Sequence, residues 1–75
     1  MKNTREGILI YDTEEKIYDI RFGLEEYYGG IHCGTCFEVN VRGRWVPVRI
    51  EAADPETWYL VGLPHIHLNG LQVRI

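Results

Sequence analysis

The sequence predicts an all-β protein: a small, strongly bent antiparallel sheet of five to six strands, closed or nearly closed as an SH3-like small barrel. Three observations carry that expectation. Apolar residues alternate with polar ones at Phe37, Val39 and Val41, and the apolar side of a second alternation is Val46, Val48 and Ile50, the period of two that marks half-buried strands. Arg42-Gly43 lies between the two runs, where a tight turn would reverse the chain into a hairpin. Short strand-like runs separated by turn residues fill the rest of the chain. Closure of such a sheet removes exposed edges. The alternative is an open meander that pairs edge to edge in a homo-oligomer.

Taken in order, Gly7–Tyr11 (GILIY) and Ile17–Phe22 (IYDIRF) flank a polar link, Asp12 to Lys16, the pattern of a hairpin with a loop of a few residues. In the second run Tyr18, Ile20 and Phe22 share one face, with Asp19 and Arg21 on the other. The first run is apolar on both faces, so periodicity leaves its inward side open. Gly23 to Gly30 reads as a connection, too short for a stable helix by itself. The central hairpin, within His32–Glu51, comes next. Ala52–Thr57 is a polar break with Asp54-Pro55 initiating a turn. Trp58–Leu63 is rich in strand-preferring residues. Asn69-Gly70 is a turn dipeptide ahead of a last strand that places Leu71, Val73 and Ile75 inward.

Residues 1–75 make one domain near the lower size limit for a self-sufficient core, because a chain this short buries only about 60% of its unfolded surface. The net charge is −3, with acids outnumbering bases before Gly30. No basic run resembles a phosphate-binding arm, which argues against nucleic-acid binding. The N-terminal stretch has no long apolar segment of signal-peptide type, and no apolar run approaches the ~20 residues that span a bilayer. Two closely spaced cysteines without an export signal indicate free thiols in a reducing cytosol, so the expected location is cytoplasmic.

Cys33-Gly34-Thr35-Cys36 is the sharpest chemical motif. A redox pair wants its first thiol at a helix N-terminus, whereas this motif runs into strand-like Phe37-Glu38-Val39. A Cys33 nucleophile lacks a recognisable base, orienting group and oxyanion hole, so no enzyme is expected. Zinc is the cofactor alternative, with Cys33 and Cys36 joined by His65 and His67 in a tetrahedral set. The plainer expectation is no cofactor, with both cysteines packed as small buried fillers. A second candidate is a surface. Trp45, Pro47, Arg49 and Glu51 share the face opposite Val46, Val48 and Ile50. With Tyr27, Tyr28 and Trp58 they offer the residue types that dominate interface hot spots. The functional expectation is therefore a non-catalytic binding module that uses Trp45, Arg49, Tyr27, Tyr28 and Trp58 toward a protein, peptide or small ligand.

Several pieces in sequence resemble a known family. They are Tyr28-Gly29 leading to His32-Cys33-Gly34, then Phe37-Glu38-Val39, Trp45-Val46-Pro47, Arg49-Ile50-Glu51, Trp58–Gly62 and Gly70–Ile75. In this order they resemble a family of short uncharacterised domains from Gram-positive bacteria and their mobile elements. The likeness covers most of the chain after Tyr27, while His65-Ile66-His67 departs from the shared pattern. Membership in that family implies no activity. Its mobile-element character suggests a third reading, an antagonist of a bacterial defence system that sequesters a protein or a nucleotide.

Overall fold

The structure, a computed structural model, describes residues 4–75. It contains six strands and, among the described residues, no helix. They are β1 (Glu6–Asp12), β2 (Ile17–Arg21), β3 (Cys36–Val41), β4 (Arg44–Asp54), β5 (Thr57–Val61) and β6 (Gln72–Arg74). All neighbours are antiparallel in one sheet of order β2-β1-β6-β3-β4-β5, curled into a half-barrel. The strand latest in sequence, β6, thus stands between β1 and β3.

Turn chemistry fixes the hairpins. Arg42 and Gly43 have φ of 53° and 84°, the two positive angles that a two-residue turn of the I′ type needs to match strand twist. The Asn40 side-chain carbonyl accepts the Gly43 N–H at 2.7 Å and closes that turn. In the β1–β2 link, Asp12 Oδ1 accepts the N–H groups of Glu14 (2.9 Å) and Glu15 (3.1 Å), an Asx-type turn. Between β4 and β5 the Asp54 carboxylate plays the same part, taking the Glu56 N–H at 2.9 Å. The polar break expected at Ala52–Thr57 is shorter than its composition suggests. β4 continues to Asp54, with a register shift between Ala52 and Asp54, and Ala52 lies opposite Trp58.

The inner face is the core. Leu9, Ile20, Phe37, Val39, Val48, Ile50, Leu60 and Val73 are buried there, and two connecting segments contribute Ile31 and Leu68. Each fully buried aliphatic side chain adds about 1.5–3 kcal/mol of transfer free energy. Leu9 resolves the ambiguity of β1, because the register sets it beside Ile20. Gly7 lies where β1 passes tightly against β2. A Cβ there would meet the Arg21 carbonyl oxygen at 2.6 Å and Ile20 Cγ2 at 2.7 Å.

The free side of β2 is covered by the following segment. Tyr28 N–H donates to Ile20 O and Ile31 N–H to Tyr18 O, both at 2.8 Å. Asp19 Oδ1 holds that segment through the N–H groups of Gly29 (3.0 Å) and Gly30 (2.9 Å). β2 and β5, the two ends of the sheet, meet through side chains, with the Tyr18 and Trp58 rings edge to face at 6.1 Å.

Candidate functional site

The alternation of β4 that buries Val48 and Ile50 turns Trp45, Pro47, Arg49 and Glu51 to the outer face. Neighbouring strands add to that face by register. Glu38 lies opposite both Pro47 on β4 and Arg74 on β6, Asn40 lies opposite Trp45, and Cys36 lies opposite Arg49. Pro47 is tolerated inside a paired strand for a geometric reason. Counting back from the tight turn, Glu38–Pro47 falls on a non-hydrogen-bonded pair, and β5 begins to pair with β4 only at Arg49. The missing proline N–H therefore faces an unpaired edge.

Two ion pairs order this face. Arg74 Nε donates to Glu38 Oε1 at 2.8 Å, and a second guanidinium nitrogen donates to Oε2 at 3.4 Å. That grip sets the guanidinium 4.4 Å from the centre of the Trp45 ring, within the range of a cation–π contact. The hydrogen bond that Arg74 donates to Glu38 also raises its already high pKa. Arg49 donates to Glu51 at 2.8 Å on the same strand. Beside this stack runs a groove of about 500 Å³ whose walls include Cys36, Glu38, Pro47, Arg49, Val61 and Arg74.

The five residues singled out from the sequence do not form one patch. Trp45 and Arg49 share the outer face of β4. Tyr27 and Tyr28 are exposed, but they run along the far edge beyond β2, where Tyr27 bridges to Arg21. In the sheet order β1, β6 and β3 lie between that edge and β4. Trp58 points to the inner face and packs against the core beside Tyr18, so the outward member of its pair is Tyr59, opposite Glu51. Glu38, Val61 and Arg74 were missed as site residues. Alternation around inward Val73 and Ile75 did mark Arg74 as outward, but nothing local shows that Trp45 is its neighbour.

The thiols depart from the buried-filler expectation. Both Cys33 and Cys36 are free and exposed. Cys33 lies in a turn closed by the Thr35 N–H on the His32 carbonyl, with Gly34 at φ 89°, and Cys36 opens β3 on its outward side, opposite Arg49. His32, His65 and His67 are exposed as well. Among the described residues no three His, Cys, Asp or Glu side chains come together as a metal-binding group. The donor set Cys33, Cys36, His65 and His67 therefore does not fit a tetrahedral zinc ion.

A family model described as a domain of unknown function, DUF5348, matches residues 7–75. The chain belongs to the DUF5348 family. This DUF5348 domain is also similar to a protein from Ruminococcus gnavus whose crystal structure is solved. The two are 60% identical over 95% of this chain and 100% of that one, with a TM-score of 0.87. No curated protein matches the chain. Family membership thus brings a shared fold and no chemistry, and a functional reading rests on the geometry above.

Proposed function

We propose that this DUF5348 domain is a non-catalytic binding module that engages a protein or peptide through the outer face of β3, β4 and β6. The observation that carries this reading is the ordered stack of Trp45, Arg74 and Glu38 at the side of the groove. A tryptophan already held in place loses little rotamer freedom on binding, which is how a small surface achieves useful affinity. Val61 and Pro47 supply apolar contact in the groove, and Arg49 supplies a charged donor. Neither thiol has a hydrogen bond to a histidine among the described residues, and the Cys36 Sγ reaches only the Gly34 carbonyl, at 3.8 Å. That supports binding over nucleophilic chemistry. Two exposed free thiols also suit a reducing compartment, in keeping with a cytoplasmic location.

The test is selection of peptides on the folded domain, followed by chemical-shift mapping. The expected shifts centre on the Trp45 indole, Arg49 and Val61. Trp45→Ala and Arg49→Ala should keep the dispersed spectrum and lose the selected peptides. Shifts confined to other surfaces, or variants that simply unfold, would defeat the reading.

A further inference from the structure

The first part of β4 has a strand on one side only. β3 pairs with it from Arg44 to Arg49, whereas β5 pairs with it from Arg49 onward. β5 ends at Val61, opposite Arg49, and at Gly62 the backbone takes φ 103°, a left-handed angle that turns the chain off the line of the strand. Arg44–Val48 is left as an open edge. The far end of the sheet differs, because the segment after β2 bonds to Tyr18 and Ile20 and covers that side.

The Arg42-Gly43 turn decides which backbone groups line the open edge. It makes Val41–Arg44 a hydrogen-bonded pair, so Asn40–Trp45 and Glu38–Pro47 are non-hydrogen-bonded pairs. The N–H and C=O of Trp45 and the C=O of Pro47 therefore point away from β3. Among the described residues, neither Trp45 nor Pro47 makes a backbone hydrogen bond in the turns and loops that could satisfy these groups. A donor and two acceptors at strand spacing are what a further antiparallel strand pairs with. Pro47 excludes the simplest such strand, a second copy. Two copies joined through this edge would each lack the Pro47 N–H, so the Trp45 carbonyl of each would go without a donor. A foreign strand with its full set of amides satisfies all three groups.

Side chains narrow the occupant further. On the outer face the added strand lies beside Pro47 and the Trp45 ring that Arg74 holds, and on the inner face beside half-buried Val46. Those neighbours favour apolar, β-branched residues. Charge fixes one end. Among the described residues, Arg42 and Arg44 make no ion pair, while Arg49 at the other end of the edge is paired with Glu51. An antiparallel strand finishes beside Arg44, so its carboxylates belong at its C-terminal end.

We propose that the Arg44–Val48 edge receives an extended segment of a partner protein, apolar in its middle and acidic at its C-terminal end, as an added antiparallel strand in line with β5. This rests on the outer-face reading and deepens it: the partner is held by main-chain bonds to Trp45 and Pro47, with its outward side chains beside the groove.

The probe is an end-capped peptide of about eight residues, longer than the usual strand, which alternates threonine and valine and closes in two glutamates. It is titrated into the isotope-labelled full chain. The expected result is saturable binding that slows hydrogen exchange of the Trp45 backbone amide by at least about tenfold, as a new ladder bond does. N-methylation of every second peptide amide should abolish binding in one phase and spare it in the other, because only one edge of an added strand faces β4. Arg44→Glu should weaken binding about two- to fivefold, the scale of an exposed ion pair, and should prefer a peptide that closes in two lysines. Binding with Trp45 amide exchange unchanged, or equal behaviour of the two methylated peptides, overturns strand addition and leaves the outer-face reading standing. No binding of the probe overturns it too, and the outer-face reading is then judged separately by the Trp45 indole shift with selected peptides. A free chain that sediments as a dimer with its Trp45 amide already protected gives the edge to a second copy, and likewise overturns the proposal.

Discussion

The guanidinium of Arg74 lies 4.4 Å from the centre of the Trp45 ring, and Glu38 fixes it there through two hydrogen bonds. Three strands, β3, β4 and β6, meet in that contact. A planar guanidinium is what makes both interactions at once, since it stacks with its face and donates with its edge. Arg74→Lys keeps the charge but has no planar fork with which to stack and make the two-point hydrogen bond at once. The expected outcome is a red-shifted Trp45 emission and a melting temperature lower by a few degrees, read by fluorescence and thermal denaturation.

Gly7 is required by close approach. The Cβ of Gly7→Ala would sit inside contact distance of the Arg21 carbonyl and of Ile20, and backbone is not free to give way. The variant should lose about 1–3 kcal/mol, the usual penalty of overpacking. Gly23→Ala is the control. Its nearest neighbour would be 3.9 Å away and its φ is not in the left-handed region, so urea denaturation should find it neutral or slightly stabilised.

Asp19 is the clamp on the segment that covers β2. Removing its carboxylate in Asp19→Ala leaves the Gly29 and Gly30 N–H groups without their acceptor, which should cost about 1–3 kcal/mol. Asp19→Asn keeps an acceptor oxygen and should fall between the variant and the wild type. Hydrogen exchange at Gly29, Gly30 and Ile31 should accelerate before exchange in β3 and β4 does.

Two groups tie stability to pH, at opposite ends of the scale. Burial, then the nearby Tyr11, raises the Tyr18 pKa above its ordinary 10.0. The native chain therefore holds that proton longer than the unfolded chain. Its contribution is complete below the ordinary value and is lost as pH rises through the native one. The Glu56 N–H and the Thr57 hydroxyl lower the Asp54 pKa below its ordinary 3.8. That contribution is present above 3.8 and is lost as pH falls through the native value. Urea midpoints across pH should show both limbs. Tyr18→Phe should flatten the alkaline one and Asp54→Asn the acid one.

Both thiols should react with an aromatic disulfide reagent in the native state without denaturant, because both are exposed. Added zinc should leave the melting temperature unchanged, since among the described residues no third donor joins Cys33 and Cys36. A stoichiometric zinc-dependent rise would show that the donors converge in solution.

The central hairpin was legible because β3 and β4 each have a polar and an apolar face, and a period of two is visible only under that condition. β1 illustrates the opposite case: in GILIY every candidate face is apolar, and the fit of Gly7 under β2 makes the choice. Tyr27 and Tyr28 looked like neighbours of Trp45 because the residues are close in sequence. Pairings such as Glu6 with Arg74 and Glu38 with Arg74 insert β6 and β1 between them, and no local pattern encodes a strand's neighbours. The thiols misled for a statistical reason. Free cysteine is commonly buried, yet Cys33 lies in the His32–Thr35 turn and Cys36 on the outer face of β3, and both are exposed.

The placement of β6 has a kinetic consequence. One backbone ladder joins β1 to β2 and another joins β3, β4 and β5, and β6 is the sheet's link between them. The sheet closes between the two halves when Gln72–Arg74 enters the seam, the strand furthest along the chain and paired with both β1 and β3. Folding of this domain is therefore expected to be limited by the long-range docking of β6, which brings contacts of large sequence separation.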